Sequence, residues 1–141
     1  MATKEAFVKS IQESYSFKGE SILIGSAVFG EDYDTKRQIH LPLKTLNRHG
    51  MISGATGTGK TKSLQVIAEG LSDAGVPVLV MDIKGDLSGL AQAGTNNKHI
   101  VKRAGFINME WEGRGFPIEL MSISDEPGTR FCLCLKLIIN R

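Results

Sequence analysis

An α/β fold, with a parallel sheet and flanking helices built around a phosphate-binding loop, is predicted by three observations on this chain of 141 residues. The stretch Gly54-Ala55-Thr56-Gly57-Thr58-Gly59-Lys60-Thr61 fills the pattern G-x-x-x-x-G-K-[ST] at every specified position. Behind it, Leu64, Ile67, Ala68 and Leu71 recur at i, i+3, i+4 and i+7, the stripe of an amphipathic helix. Farther on, Val76-Pro77-Val78-Leu79-Val80-Met81 is an unbroken apolar run of the kind buried on both faces of a parallel sheet. With the short apolar segment Met51-Ile52-Ser53 in front, the order strand, glycine loop, helix, strand makes a βαβ unit.

The elements follow in chain order. Phe7, Ile11 and Tyr15, with Val8 beside them, mark an N-terminal helix over residues 4–15. Residues 21–29 read as a strand, and Ile39, Leu41 and Leu43 alternate with polar residues or Pro42 in a second. The charged stretch 31–37 between them predicts a hairpin, whose second strand is an edge because proline cannot donate to a ladder. Either this hairpin is an accessory ribbon ahead of the core or it extends the edge of the main sheet.

The loop at 54–61 predicts a P-loop NTPase core, and the chemistry explains its residue types. Glycines at 54, 57 and 59 allow positive φ and a close approach of backbone to phosphate, where a β-carbon would clash. The amides of residues 57–61, at the positive end of the following helix, lack partners one turn back and point at an anion. Lys60 is expected to reach the β- and γ-phosphates and the Thr61 hydroxyl to ligate Mg²⁺, with Gly54, Ala55, Thr56, Gly57, Thr58, Gly59 and Lys62 completing the nucleotide site. An ordinary glycine turn capping a helix has no use for the Lys-Thr pair.

After the helix, Gly75 is expected to cap its C-terminus. The apolar run 76–81 ends in Asp82, and Asp86 in the following turn is expected to cap a short helix over the carboxyl end of the sheet, where ligands of open α/β sheets bind. Asp82 and the turn 84–86 are therefore expected near the phosphates or a neighbouring subunit. In kinase- and GTPase-like P-loop proteins the acid that supports Mg²⁺ can come from the strand next to the loop strand, which makes Asp82 a candidate catalytic residue beside Lys60; structural use of the strand end is the other reading. Residues 97–104 predict a further helix, and residues 106–109 and 116–121 two further strands.

Composition bounds the rest. With 41% hydrophobic residues the chain has enough apolar side chains for a core. No apolar stretch of membrane-spanning length occurs, and residues 1–18 mix Lys and Glu with isolated apolar residues, so no membrane association or export is expected. Cys132 and Cys134 complete no zinc site and read as free thiols of a cytoplasmic protein. His40, His49 and His99 lack ligand spacing and are expected to be structural or surface residues. The net charge of +2, with basic and acidic residues intermixed, does not by itself predict DNA binding.

Three stretches carry a narrower resemblance. Leu41-Pro42-Leu43, Leu46-Asn47-Arg48-His49-Gly50-Met51-Ile52-Ser53 leading through the loop to Lys62-Ser63-Leu64-Gln65, and Met81-Asp82-Ile83-Lys84-Gly85-Asp86-Leu87-Ser88-Gly89-Leu90 resemble the bacterial HerA-like helicase family, in particular its C-terminal-domain subgroup. The resemblance spans residues 22–130 and is specific, because the Asn-Arg-His-Gly lead-in and the Lys-Gly-Asp-Leu turn are not general P-loop features. It implies a RecA/FtsK-like ATPase core using ATP and Mg²⁺, in motors that assemble as homo-oligomeric, hexameric rings and move on double-stranded DNA. Family members also carry a later apolar strand ending in an Asp-Glu pair, in which Asp supports Mg²⁺ and Glu orients the attacking water.

Here the only Asp-Glu is Asp125-Glu126, which precedes Pro127-Gly128 and reads as a turn. From Phe131 onward the resemblance is expected to lapse. The expected organisation is an accessory helix and hairpin over residues 1–45, a partial P-loop NTPase core over 46–130 and a divergent tail over 131–141, with a truncated or frame-shifted product as one explanation of the tail. The expected function is the ATP-binding portion of a DNA helicase or translocase with impaired hydrolysis. A small P-loop kinase completed by Asp82, or a nucleotide-binding switch without turnover, are the alternatives; Arg103, Arg114 and Arg130 show no lid pattern of the kind a kinase needs.

Overall fold

The computed structural model describes residues 3–82, 84–122 and 128–130, with residues 32–37 given by their backbone. Asp125, Glu126, Cys132, Cys134 and the tail 131–141 lie outside the described residues. The chain is α/β: helix α1 (Lys4–Ser14), strands β1 (Ser21–Phe29) and β2 (Asp32–Pro42), helix α2 (Lys60–Asp73), helix α3 (Lys98–Phe106) and the short strands β3 (Met121–Ser122) and β4 (Thr129–Arg130). Single 3-10 turns occupy Leu43–Thr45 and Ser88–Ala91.

Helix α1 starts where Thr3 accepts a hydrogen bond from the Ala6 amide on its hydroxyl, at 3.3 Å. It docks through Phe7, whose ring lies 5.2 Å from that of Phe29 at the end of β1. Of the apolar positions recognised in the sequence, Phe7 thus finds its partner on the hairpin, while Tyr15 meets Phe17. Strands β1 and β2 pair antiparallel from Ser21↔Pro42 to Phe29↔Asp32, with irregularities between Leu23 and Gly25 and between Ser26 and Ala27. Most of the charged stretch expected as a turn is therefore strand. The reversal is confined to Gly30 and Glu31, where Gly30 takes φ +63 and supplies the tight turn that a β-carbon would strain. Pro42 closes β2, the position at which its missing donor is harmless.

The hairpin packs on α2 through Ile22, which is 4% exposed. A β-carbon on Gly70 would stand 3.1 Å from that of Ile22, so the glycine lets helix and strand approach closely. Burying Ile22 contributes about 1.5–3 kcal/mol. The hairpin is also tied to the end of α3: Ser26 Oγ donates to the Ile107 carbonyl at 2.8 Å, and Gln38 Nε2 to that of Asn108 at 2.9 Å.

Helix α3 matches the expected segment closely. The Asn97 side chain accepts from the His99 amide at 2.8 Å, and Asn108, at φ 50, ends the helix with Met109 N donating to Ala104 O at 3.0 Å and Asn108 N to Gly105 O at 3.3 Å. This is a Schellman closure with asparagine in the left-handed position. It occupies residues expected to form a strand at 106–109: Phe106 is the last helical residue and Ile107 its cap. Helix α2 closes in the same way at Gly75, φ +72, with Val76 N on Leu71 O at 2.9 Å and Gly75 N on Ser72 O at 3.0 Å, as the sequence led one to expect.

Three more expected strands take another form. Residues 51–53 and 76–81 form no ladder, and Met51, Leu79 and Met81 are 88%, 82% and 91% exposed. Of residues 116–121 only Met121 is in a strand, where β3 pairs parallel with β4. A strand buried on both faces needs neighbours on both edges, and among the described residues these segments have none. The apolar stripe of α2 is accordingly only half-buried, with Leu64 exposed. The face that α2 turns toward the hairpin and the segments 86–94 and 109–116 carries Lys62, Gln65, Val66, Glu69, Gly70 and Asp73.

Candidate functional site

The glycine loop reaches α2 through two left-handed residues. Gly57 has φ +82 and Gly59 φ +94, values that strain any residue with a β-carbon. Between them Thr58 folds back, its amide 3.4 Å and its hydroxyl 2.8 Å from the Ala55 carbonyl, to which both donate. The fold-back brings Thr58 Oγ1 so near Gly54 that a β-carbon there would lie 2.6 Å away. Two of the three loop glycines are thus required by φ and the third by close approach.

Helix α2 begins at Lys60 with Gly59 as its N-cap and no side-chain cap, in contrast to α1 and α3, which Thr3 and Asn97 cap. Ser63 makes the first helical bond, its amide 2.9 Å from the Gly59 carbonyl, with its hydroxyl donating to the same oxygen at 3.2 Å. The amides of Lys60, Thr61 and Lys62 precede that bond and have no carbonyl one turn back. They and the helix dipole present positive charge toward the loop, the arrangement that holds phosphate. Lys60 Nζ donates to the Ala55 carbonyl at 2.7 Å, so the ammonium lies over the loop.

The structure brings Gly54, Ala55, Thr56, Gly57, Thr58, Gly59, Lys60 and Thr61 into one exposed loop and helix start. Lys62 turns instead toward a cleft of about 1050 Å³ on the flank of α2, lined also by Glu69, Asp73, Trp111 and Arg114. None of residues 54–61 lines this cleft. Within it Arg114 pairs with Asp73 and stacks its guanidinium 4.7 Å from the Phe116 ring. Burial pushes the Glu69 carboxyl above its ordinary value, partly opposed by the Lys62 and Arg114 charges and reinforced by Asp73.

Asp82 takes part in a different construction. Its Oδ2 accepts from the Leu87 amide at 2.7 Å and its Oδ1 from the Lys84 amide at 3.0 Å. The Leu87 amide above all, then those of Lys84 and Gly85, hold this carboxyl below the usual carboxylate range against a smaller effect of desolvation. Gly85 takes φ +78 in the turn, and Leu87 buries its side chain. The 3-10 turn that follows has Leu87 as its N-cap and no side-chain cap, so Asp86 does not make the cap expected of it, and Asp82 instead holds the amides of Lys84 and Leu87 ahead of that turn.

Sequence reasoning also missed Gln65. It is 8% exposed, and its Nε2 donates to the Asp86 carbonyl at 3.2 Å, joining α2 to the Asp82 turn. A polar residue one step from the apolar stripe carries no signal of burial until its neighbour in space is known. Of the histidines, His40 shares a 3.3 Å hydrogen bond with Ser21 across the ends of the hairpin. Among the described residues no group of three or more His, Cys, Asp or Glu is arranged to hold a metal, and no helix is long and apolar enough to cross a membrane.

Residues 29–135 match the family model described as Helicase HerA-like C-terminal. The match covers well over half of the chain and reaches residue 135, into the segment where the resemblance was expected to lapse. No curated protein and no solved structure matches.

Proposed function

The chain belongs to the helicase HerA-like C-terminal family, and on that premise we propose that Gly54-Ala55-Thr56-Gly57-Thr58-Gly59-Lys60-Thr61 binds the phosphates of ATP as the nucleotide site of a DNA helicase or translocase. The observation that carries this reading is the pair of left-handed glycines, 57 and 59, opening directly onto the uncapped N-terminus of α2. The cradle suits a phosphate because Gly54 lets the Thr58 side chain fold back and shape the loop, and the Lys60 ammonium lies over that loop at the start of α2, where the first-turn amides are unpaired within the helix.

Lys60 would exchange its Ala55 partner for the β- and γ-phosphates, and Thr61 would hold Mg²⁺, which supplies charge neutralisation between the phosphates. Lys62 lies one residue farther along α2 and lines the cleft on the helix flank, so the cradle is left to residues 54–61. By family resemblance the working assembly is a homo-oligomeric, hexameric ring on double-stranded DNA.

Titration with a fluorescent ATP analogue, with and without Mg²⁺, tests nucleotide binding, and the Lys60→Ala variant is its control. Turnover stimulated by double-stranded DNA, with an affinity for DNA that falls steeply as salt rises, selects the translocase reading. Phosphate appearing on a small acceptor would select a kinase instead. A second reading, a nucleotide-binding switch that turns over slowly, is favoured by one observation: both oxygens of Asp82 accept backbone amides. It predicts tight binding with no DNA-stimulated turnover.

A further inference from the structure

The turn at residues 84–87 is held at three points. The Asp82 carboxylate accepts the Lys84 and Leu87 amides, the Leu87 side chain is buried, and the Asp86 carbonyl accepts Gln65 of α2. Gln65 stands five residues after Lys60 on the same helix, about 7–8 Å along its axis. A rigid helix therefore links the start of the phosphate loop to the turn.

We propose that Asp82 and Gln65 form a brace that positions the Lys84–Leu87 turn against the loop helix, and that Asp82 acts in nucleotide binding as a positioning residue and not as a ligand of Mg²⁺. Three facts support the division of labour. Each carboxylate oxygen already accepts a backbone amide of the turn, which fixes the side chain toward residues 84 and 87. Gln65 is one of two polar residues that are buried among the described residues, and its amide is spent on a main-chain carbonyl, a fixed acceptor that registers helix against turn. Gly85, in the left-handed region, lets the chain double back so that a single carboxylate spans residues 84 and 87.

The brace explains why an acid ends the apolar run. An aspartate two residues before Lys84 reaches forward amides as an Asx turn does, and the same oxygen pair reaches Leu87 because the chain has reversed. Removing that side chain's acceptors loosens the turn, while the loop around the glycines keeps its own local bonds.

This inference rests on the proposed nucleotide site, and its test separates the two. Asp82→Ala, Asp82→Asn and Gln65→Met are compared with the unaltered chain by amide exchange at Lys84 and Leu87 and by affinity for an ATP analogue in Mg²⁺ and in EDTA. Protection of the α2 amides reports that each variant is folded. In Asp82→Ala and Gln65→Met, exchange at Leu87 accelerates by roughly tenfold and nucleotide affinity falls by the same factor in Mg²⁺ and in EDTA. Asp82→Asn keeps one acceptor and restores most of the loss. Three outcomes overturn the brace: unchanged exchange at Leu87, faster exchange with unchanged affinity, or a loss confined to the Mg²⁺ condition, which would make Asp82 a metal ligand. If the unaltered chain binds no nucleotide, the proposed site fails, while the exchange data still decide whether the brace exists.

Discussion

Lys60 donates its ammonium to the carbonyl of Ala55 at 2.7 Å, closing the glycine loop on itself from the first residue of the helix that follows. The same carbonyl accepts the Thr58 hydroxyl at 2.8 Å, so one oxygen gathers the two side chains that shape the loop. An anion entering the loop meets a lysine whose ammonium is already at the mouth, and it must compete only with a neutral acceptor. Charge-assisted bonds to phosphate are stronger than bonds to a carbonyl, so the exchange favours the ligand.

Lys60→Ala accordingly weakens binding of an ATP analogue by roughly tenfold to a hundredfold, the range for losing a charged hydrogen bond. Thermal unfolding of the free protein changes little, because the ammonium is only half-buried. Unchanged affinity in an equilibrium titration would refute the site.

Gly59→Ala places a β-carbon on a residue at φ +94 and destabilises the loop by about 1–2 kcal/mol. Gly75→Ala, at φ +72 in the Schellman closure of α2, destabilises the fold by about 1 kcal/mol. The two differ in what they do to function: nucleotide affinity falls in Gly59→Ala and is preserved in Gly75→Ala. Parallel denaturation and binding curves distinguish them.

Gly70→Leu drives a side chain into Ile22, against which even a β-carbon at residue 70 would stand at 3.1 Å. The expected loss is about 1–3 kcal/mol, with the hairpin separating from α2. A denaturation midpoint equal to that of the unaltered chain would show that this contact does not hold the hairpin to the helix.

The two shifted carboxyls act at opposite ends of the carboxylate range. Asp82 titrates lower folded than unfolded, so its contribution is present above about pH 4 and is lost as pH falls through its folded value. The Leu87 amide resonance follows that titration, with a midpoint below the ordinary aspartate value. Glu69 titrates higher folded than unfolded, so its ionisation opposes folding once pH rises through its folded value. Glu69→Gln therefore raises Tm at neutral pH, and the difference disappears below about pH 4. A lower Tm for Glu69→Gln at neutral pH would show that the attraction of Lys62 and Arg114 outweighs burial.

Local chemistry was legible in the sequence wherever a residue type has a single physical use. The loop glycines, Lys60 at the start of a helix, Gly75 at its end and the helix at 97–104 all follow from φ preference, capping and periodicity, which act over a few residues. Tertiary structure decided what those signals leave open. It placed Gln65 and Glu69, and not Leu64, on the flank of α2 that lines the cleft. It left the run 76–81 without a ladder, and it set the Asp82 carboxylate on the amides of Lys84 and Leu87 while the following 3-10 turn goes without the side-chain cap expected from Asp86. Periodicity marks the face that prefers burial, and an apolar run marks a preference for pairing. The neighbour that satisfies either preference comes from residues distant in sequence, and only the packed chain specifies it.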